Sequence, residues 1–177
     1  MKKGGKGGAN TKSGLIFEKA IDFKTILIGT NGYAVRPVKG KAGTGIFYHD
    51  KLVAFNYAKN DFYKFLKERN VVWEDKISKR LLPDDALLVI IRDTLFIIEV
   101  KTQTVEGSVD EKLQTCDFKR KQYQKLVADL ELKVEYVYVL NSWFKKPKYK
   151  DVLDYISSVN CHYVFEKIPL KWLGLPT

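Results

Sequence analysis

The sequence predicts an α/β fold in which helices flank a central mixed sheet, and three observations support that prediction. Segments with helical spacing of apolar residues alternate along the chain with short runs of β-branched, aromatic and other apolar residues. No Pro- or Ser-rich linker and no internal repeat divides the 177 residues. With 45% hydrophobic residues, the chain can bury one substantial core. We therefore expect a single domain over residues 13–177, preceded by a flexible basic segment over residues 1–12.

Spacing and turn residues predict the elements of the N-terminal half. Apolar residues three and four positions apart predict a helix over residues 13–28, which glycines then end. The segment Gly45–Tyr57 predicts two strands joined by a turn at His49-Asp50. A second helix is expected to begin at Asn60, with its aromatic and leucine side chains on the apolar side.

The clearest element is a β-hairpin within Leu82–Gln103. Two runs of apolar β-formers, at residues 87–91 and 95–100, are separated by the turn residues Arg92-Asp93. Because both runs are apolar on both faces, this hairpin should lie at the centre of the sheet.

The C-terminal half alternates helices and strands. The predicted order is a basic helix from Asp117, a strand over Lys133–Asn141, a helix over Tyr149–Ser158, a strand over Cys161–Phe165 and a short turn or helix over Pro169–Leu173.

The composition narrows the classes of function. The net charge of +10, from 31 Lys and Arg against 21 Asp and Glu, favours a polyanionic partner and nucleic acid above all. Two Cys residues are too few for a disulfide framework, and two His residues leave little room for His-based chemistry. No apolar run has the length of a membrane span or of a signal peptide, so we expect a cytoplasmic protein.

Polar residues interrupt the apolar hairpin at its open end. Glu99, Lys101 and Gln103 alternate along the second strand, so their side chains should share one face. The position of the turn decides which acidic residue of the first strand meets them. A turn centred on residues 92–93 places Asp84 opposite Lys101 and diagonal to Glu99, whereas a turn centred half a residue later places Asp85 opposite Lys101.

Such a cluster of charges has a specific chemical use. Two carboxylates held a few ångströms apart repel each other unless a cation neutralises them. Mg²⁺ does so while keeping waters and taking a phosphate oxygen, and it lowers the pKa of a bound water. Lys101 could orient or deprotonate that water. The alternative is a structural ion-pair network, which carries the cost of burying three charges.

Pro83-Asp84, fourteen intervening residues and then Glu99-Val100-Lys101 on an apolar strand resemble the PD-(D/E)XK nuclease superfamily. Within it, the chain looks most like a small type II restriction endonuclease. Supporting features are Gly8–Gly14 leading to Glu18, the segment Gly107–Lys112 after the strand, and the helix that carries Phe118 and Tyr123.

The resemblance implies a restriction-endonuclease-like core and Mg²⁺-dependent cleavage of double-stranded DNA. It implies that Asp84, Glu99 and Val100 hold the metal, that Lys101 serves the attacking water, and that Glu18 joins the cluster from the first helix. It also implies a prokaryotic restriction–modification system with a cognate DNA methyltransferase that forms no stable complex with this chain. Cleavage of a palindrome would require a homodimer, although a monomer or a heterodimer subunit stays open.

Several polar residues are candidates for contact with DNA because they lie near this site or in basic stretches. They are Asn10, Lys12, Gln103, Lys112, Lys119, Arg120 and Lys121. The run of lysines at 145, 146, 148 and 150 is interpreted as a solvated charged loop. The alternatives to a restriction enzyme are a structure-selective nuclease of the junction-resolvase or repair type and a non-catalytic DNA-binding module.

Overall fold

A seven-stranded mixed sheet flanked by helices forms the centre of the chain in a computed structural model that describes residues 23–177. The strands are β1 (Tyr33–Arg36), β2 (Thr44–Tyr48), β3 (Lys51–Asn56), β4 (Asp85–Val89), β5 (Thr94–Lys101), β6 (Lys133–Leu140) and β7 (His162–Phe165). The helices are α1 (Phe23–Ile28), α2 (Asn60–Glu68), α3 (Val109–Leu113), α4 (Cys116–Val127), α5 (Lys150–Ser158) and α6 (Leu170–Leu173). The α/β class predicted from the sequence is thus confirmed.

The strands lie in the sheet in the order in which they occur along the chain. Neighbouring strands from β1 to β5 are antiparallel, and β5, β6 and β7 run parallel to one another. One end of the sheet is therefore where five strands end, namely β1, β3, β5, β6 and β7. The other two strands, β2 and β4, begin at that end. We call this the upper end.

The predicted hairpin is confirmed as β4 and β5, the two strands in the middle of the sheet. Its turn is longer than either predicted turn. Asp85 pairs with Ile98 and Val89 pairs with Thr94, so a four-residue connection separates the strands. That connection is a 3₁₀ turn over Ile90–Arg92 followed by Asp93 in the left-handed conformation, with a φ of 47°. Neither predicted register was right, because the connection is centred between Ile91 and Arg92, earlier along the chain than either predicted turn.

Alternation along β5 separates two apolar layers. Leu95 and Ile97 point to the layer that contains the buried faces of α2, α4 and α5. Phe96 and Ile98 point to the opposite layer, which is covered by α1 and by the C-terminal segment around α6. We call the first layer the α4 side of the sheet. Each layer consists of buried apolar side chains in contact with one another, which fits strands that are apolar on both faces.

Most of the predicted elements are present with small shifts at their ends. The hairpin of β2 and β3 turns at His49 and Asp50, which both have positive φ, and the helix predicted from Asn60 is α2. The first part of the predicted helix over residues 13–28 lies outside the described residues. Two elements were missed, β1 and α3, because four- and five-residue elements give too short a periodic pattern. Among the helices of residues 23–177, none combines the length and apolarity needed to cross a membrane.

Candidate active site

The central hairpin brings three of the predicted site residues together at the upper end of the sheet. Asp84 forms the bend that immediately precedes β4, while Glu99 and Lys101 end β5 on the α4 side. Because Leu95, Ile97, Glu99 and Lys101 are two residues apart in turn, the same pleat that buries the first two directs the last two to that side. We refer to Asp84, Glu99 and Lys101 as the central cluster.

Short polar contacts hold the central cluster together. The Nζ atom of Lys101 lies 3.0 Å from Oε2 of Glu99 and 3.9 Å from Oδ2 of Asp84. The same Oδ2 accepts a hydrogen bond of 3.0 Å from the Val100 amide, and Lys101 donates one of 3.3 Å to the Val100 carbonyl. Asp84 is thus tied to the end of β5 by both main chain and side chain.

The structure distinguishes the two aspartates whose order the sequence left open. Asp84 contacts Lys101, whereas Asp85 is the first residue of β4 and shares its face with Leu87, on the other side of the sheet. There Asp85 accepts a hydrogen bond of 2.8 Å from the side-chain amide of Asn56. Although the register differs from the prediction, Asp84 still falls on the same side of the sheet as Glu99.

A second lysine enters the site from α4. Nζ of Lys119 lies 2.8 Å and 2.9 Å from the two carboxylate oxygens of Glu99. The sequence placed Lys119 among the DNA contacts and missed this pairing. The spacing along the helix could have indicated that Lys119 faces the sheet. Lys119 follows buried Cys116 by three positions and precedes buried Tyr123 by four, which puts all three on one side of the helix.

Glu99 is a buried carboxylate that its neighbours keep ionised. Only 5% of the residue is exposed. Burial raises the pKa of Glu99, but the ammonium groups of Lys101 and Lys119 outweigh it and hold that pKa below its usual value. Burial and the Glu99 charge raise the pKa of the neighbouring Tyr136, whose hydroxyl has no hydrogen-bond partner of good geometry among the described residues. The site therefore combines one buried negative charge with neutral phenols.

The oxygen atoms at this point suit a hard divalent cation. Asp84 uses Oδ2 for its contacts, its side chain is 45% exposed, and its Oδ1 has no recorded partner in the described part of the chain. With Glu99 and the Val100 carbonyl, it supplies the one or two carboxylates and the additional oxygen that Mg²⁺ accepts. Within residues 23–177, no three His, Cys, Asp or Glu side chains are grouped closely enough to hold a metal by themselves. Waters and a phosphate oxygen would have to complete such a site.

The remaining predicted residues lie in different surroundings. Glu18, Asn10 and Lys12 lie outside the described residues. Lys112 is exposed on α3, in keeping with a contact surface. Gln103 is placed differently from the expectation, because β5 ends at Lys101 and the Gln103 side chain is buried, donating to the carbonyl of Gly107.

Two further basic residues of α4, Arg120 and Lys121, are paired within the helix. Arg120 and Lys121 both bind Asp117, at 3.4 Å and 2.7 Å. The side chain of Arg120 is only 15% exposed and its Nε is buried, whereas that of Lys121 is 60% exposed. Of the two, Lys121 alone is accessible enough to meet a large ligand.

A tyrosine that the sequence analysis did not select anchors the segment before Asp84. The Tyr63 hydroxyl accepts a hydrogen bond of 2.8 Å from the Leu81 amide and lies 3.0 Å from the Leu81 carbonyl, to which it donates. The Lys59 amide donates to the Pro83 carbonyl at 3.1 Å. Helix α2 and the residue before it therefore fix the path of the chain into Asp84.

Comparison of the chain with protein-family models, with curated proteins and with solved structures finds no match. What the site can do therefore follows from its own side chains.

Proposed function

We propose that this protein is a Mg²⁺-dependent endodeoxyribonuclease of the type II restriction class, built on a restriction-endonuclease-like core. The observation that supports the proposal is the convergence of Asp84, Glu99 and Lys101 at the ends of two adjacent central strands. These residue types in this order along the hairpin also carry the resemblance to the PD-(D/E)XK nucleases.

The energetics disfavour a purely structural role for the central cluster. Taking several charged groups out of water costs several kcal/mol, and apolar residues of similar volume often stabilise a fold equally well or better. Glu99 continues a face on which Leu95 and Ile97 are fully buried, so an apolar residue would fit its position. A buried carboxylate with two ammonium partners at such a position is typical of a functional site.

In the proposed mechanism, Asp84, Glu99 and the Val100 carbonyl would hold Mg²⁺, with Glu18 as a further acidic member of the site. When bound, the metal supplies Lewis-acid polarisation of the phosphodiester and a water of lowered pKa. Lys101, whose ammonium lies within 4 Å of both carboxylates, would orient the attacking water by donating a hydrogen bond to it. It could take up that water's proton only as the neutral amine, after losing its own proton to solvent, and a neighbouring metal cation would favour that form. Lys119 balances the charge of Glu99 in the metal-free protein.

The proposal extends to partners of this activity. Exposed basic residues such as Lys112 and Lys121 would contact backbone phosphates, while contacts to base edges would select the sequence. Cleavage of both strands of a palindrome would follow from a homodimer. A DNA methyltransferase of the same prokaryotic, cytoplasmic system would protect the host DNA without binding this chain stably.

Incubation of the protein with Mg²⁺ and supercoiled plasmid tests the proposal. We expect discrete fragments that methylation of the DNA blocks, and we expect Lys101→Ala to abolish them. Lys133→Ala, at the opposite end of the sheet, is the matched lysine control and should cleave like wild type. Nicking confined to branched or damaged DNA would instead support a structure-selective nuclease, and full cleavage by Lys101→Ala would contradict the role given to Lys101.

A further inference from the structure

A loop between β1 and β2 carries two lysines at the upper end of the sheet. We call residues 37–43 the first lysine loop; Lys39 and Lys41 are exposed in it. Its base is fixed, because Ala42 is buried in the apolar layer on the α4 side. Gly43 has a φ of 69°, and a Cβ there would lie 2.4 Å from the Asn56 carbonyl oxygen, so only glycine allows the loop to pass this close to β3.

A loop that follows β6 carries a second pair of lysines at the same end. We call residues 141–147 the second lysine loop; Lys145 and Lys146 are exposed in it. Phe144 and Tyr149 are buried on either side of them, in the layer on the α4 side. The Lys145 ammonium lies 5.1 Å from the centre of the Phe165 ring, at the end of β7.

The second lysine loop is joined directly to the end of β5. The side chain of Asn141 bonds to both main-chain groups of Gln103: it accepts from the amide at 3.3 Å and donates to the carbonyl at 2.9 Å. Gln103 is two residues beyond Lys101 of the central cluster. The loop is therefore held in a fixed relation to the proposed active site.

Within residues 23–177, the lysines of these two loops form no salt bridge, unlike the lysines that follow them in the sequence. Lys148 pairs with Glu106 and Lys150 pairs with Asp154. In contrast, Lys39, Lys41, Lys145 and Lys146 form no salt bridge with a carboxylate within residues 23–177. The Lys146 ammonium lies 3.0 Å from the centre of the Trp143 ring and, with Lys148, helps to lower the pKa of Glu106. A phosphate could therefore approach these ammonium groups without breaking a salt bridge among the described residues.

The two loops lie on either side of the central cluster along the upper end of the sheet. Four strand spacings separate β1 from β5 and two separate β5 from β7. At about 4.8 Å per spacing, these are about 19 Å and about 10 Å along the sheet. The total of about 29 Å approaches the length of one turn of B-DNA, about 34 Å.

We propose that the first and second lysine loops bind backbone phosphates of a DNA duplex on either side of the central cluster. The duplex then runs across the upper end of the sheet, with the scissile phosphate between the two contacts. This inference rests on the proposed function for the identity of the polyanion, and it replaces the interpretation of Lys145 and Lys146 as part of a solvated loop.

The test is the salt dependence of duplex binding. A fluorescent duplex of mixed sequence, about three helical turns long, is titrated with the full chain in EDTA between about 50 and 200 mM salt. The variants are Lys39→Ala/Lys41→Ala and Lys145→Ala/Lys146→Ala. The matched control, Lys51→Ala/Lys133→Ala, removes the same charge from the start of β3 and β6, at the opposite end of the sheet.

Each loop variant should bind about tenfold more weakly at low salt and should reduce the slope of log K against log salt by about two, since each phosphate contact contributes about 0.9. The control should keep the wild-type slope. Loop variants that match the control, an effect in one loop alone, or no duplex binding by wild type would each overturn the inference. Duplex binding that depends on both loops, without cleavage in any divalent metal, would instead overturn the proposed function and leave this inference standing.

Discussion

The position of Glu99 in its strand determines both its burial and the charged groups around it. Its position in the alternation of β5 directs it to the α4 side, where the preceding residues of that face are fully buried. Two ammonium groups then compensate a charge that burial alone would suppress. The stability and the chemistry of the site therefore depend on the same three side chains, those of Glu99, Lys101 and Lys119.

Replacement of Glu99 by Gln should destabilise the protein. The change removes the negative charge between Lys101 and Lys119 and leaves two partly buried ammonium groups facing each other. We expect the free energy of unfolding, measured in urea, to fall by about 2–3 kcal/mol, below the full cost of breaking a buried pair because both lysines keep some exposure. Asp84→Asn, at a more exposed carboxylate, should cost less than about 1 kcal/mol. Equal losses in the two variants would contradict this assignment.

Lys119→Gln should tighten metal binding. In the metal-free protein, the Lys119 ammonium contacts both carboxylate oxygens of Glu99. A divalent cation that binds these oxygens must displace the ammonium. We expect the dissociation constant for Mg²⁺ or Mn²⁺, measured by calorimetry, to decrease several-fold. Lys121→Gln removes the same charge two residues along α4, where the lysine pairs with Asp117, and should leave the constant unchanged. Weaker metal binding by Lys119→Gln would show that Lys119 supports the site in another way.

At the scale of elements, helix α2 positions the segment of chain that leads to Asp84. The Tyr63 hydroxyl satisfies both main-chain groups of Leu81, three residues before Asp84. The tyrosine is itself fixed by its burial and by Arg80, whose guanidinium lies 4.8 Å from the centre of the Tyr63 ring. A helix that is not part of the central hairpin thus sets the position of one member of the central cluster.

Tyr63→Phe should therefore affect both stability and activity. Loss of the two hydrogen bonds should lower the free energy of unfolding by about 1–2 kcal/mol. Because the segment before Asp84 is loosened, plasmid cleavage should slow and require more Mg²⁺ for half-maximal rate. Tyr155→Phe, at an exposed tyrosine of α5, is the control and should change neither quantity. If stability fell while the Mg²⁺ requirement stayed the same, Tyr63 would not position Asp84.

Across the whole molecule, the C-terminal segment is bound back to the first strand. The Tyr33 hydroxyl of β1 donates a hydrogen bond of 2.6 Å to the Pro176 carbonyl. Burial, with a smaller effect from Tyr48, raises the pKa of Tyr33 to about 12. Ionisation of this phenol is therefore linked to the packing of the layer formed by α1 and α6.

This linkage predicts a loss of stability at alkaline pH. A tyrosine in the unfolded chain ionises near pH 10, whereas folded Tyr33 keeps its proton up to about pH 12. The folded state thus binds more protons in this window, so the free energy of unfolding should be highest below pH 10 and fall as pH rises through about 12. Urea unfolding across this range should give a shallower pH dependence for Tyr33→Phe than for wild type or Tyr155→Phe. Identical slopes for all three proteins would contradict the linkage.

The sequence by itself determined the α/β class, the central hairpin and the common face of Glu99 and Lys101. Those features follow from local periodicity, since a strand repeats every two residues and its pattern needs no knowledge of the rest of the chain. The register of the hairpin was not readable in this way, because the 3₁₀ turn over Ile90–Arg92 adds Ile90 and Ile91 to the connection and moves its centre to an earlier position.

Only the tertiary structure decided which side chains meet the hairpin from other elements. Lys119 reaches Glu99 because α4 packs on that side of the sheet, and Asp84 rather than Asp85 contacts Lys101 because of the pairing between β4 and β5. The placement of both lysine loops at the upper end likewise follows from strand direction. Contacts between residues far apart in sequence depend on how elements pack, and no local periodicity encodes that packing.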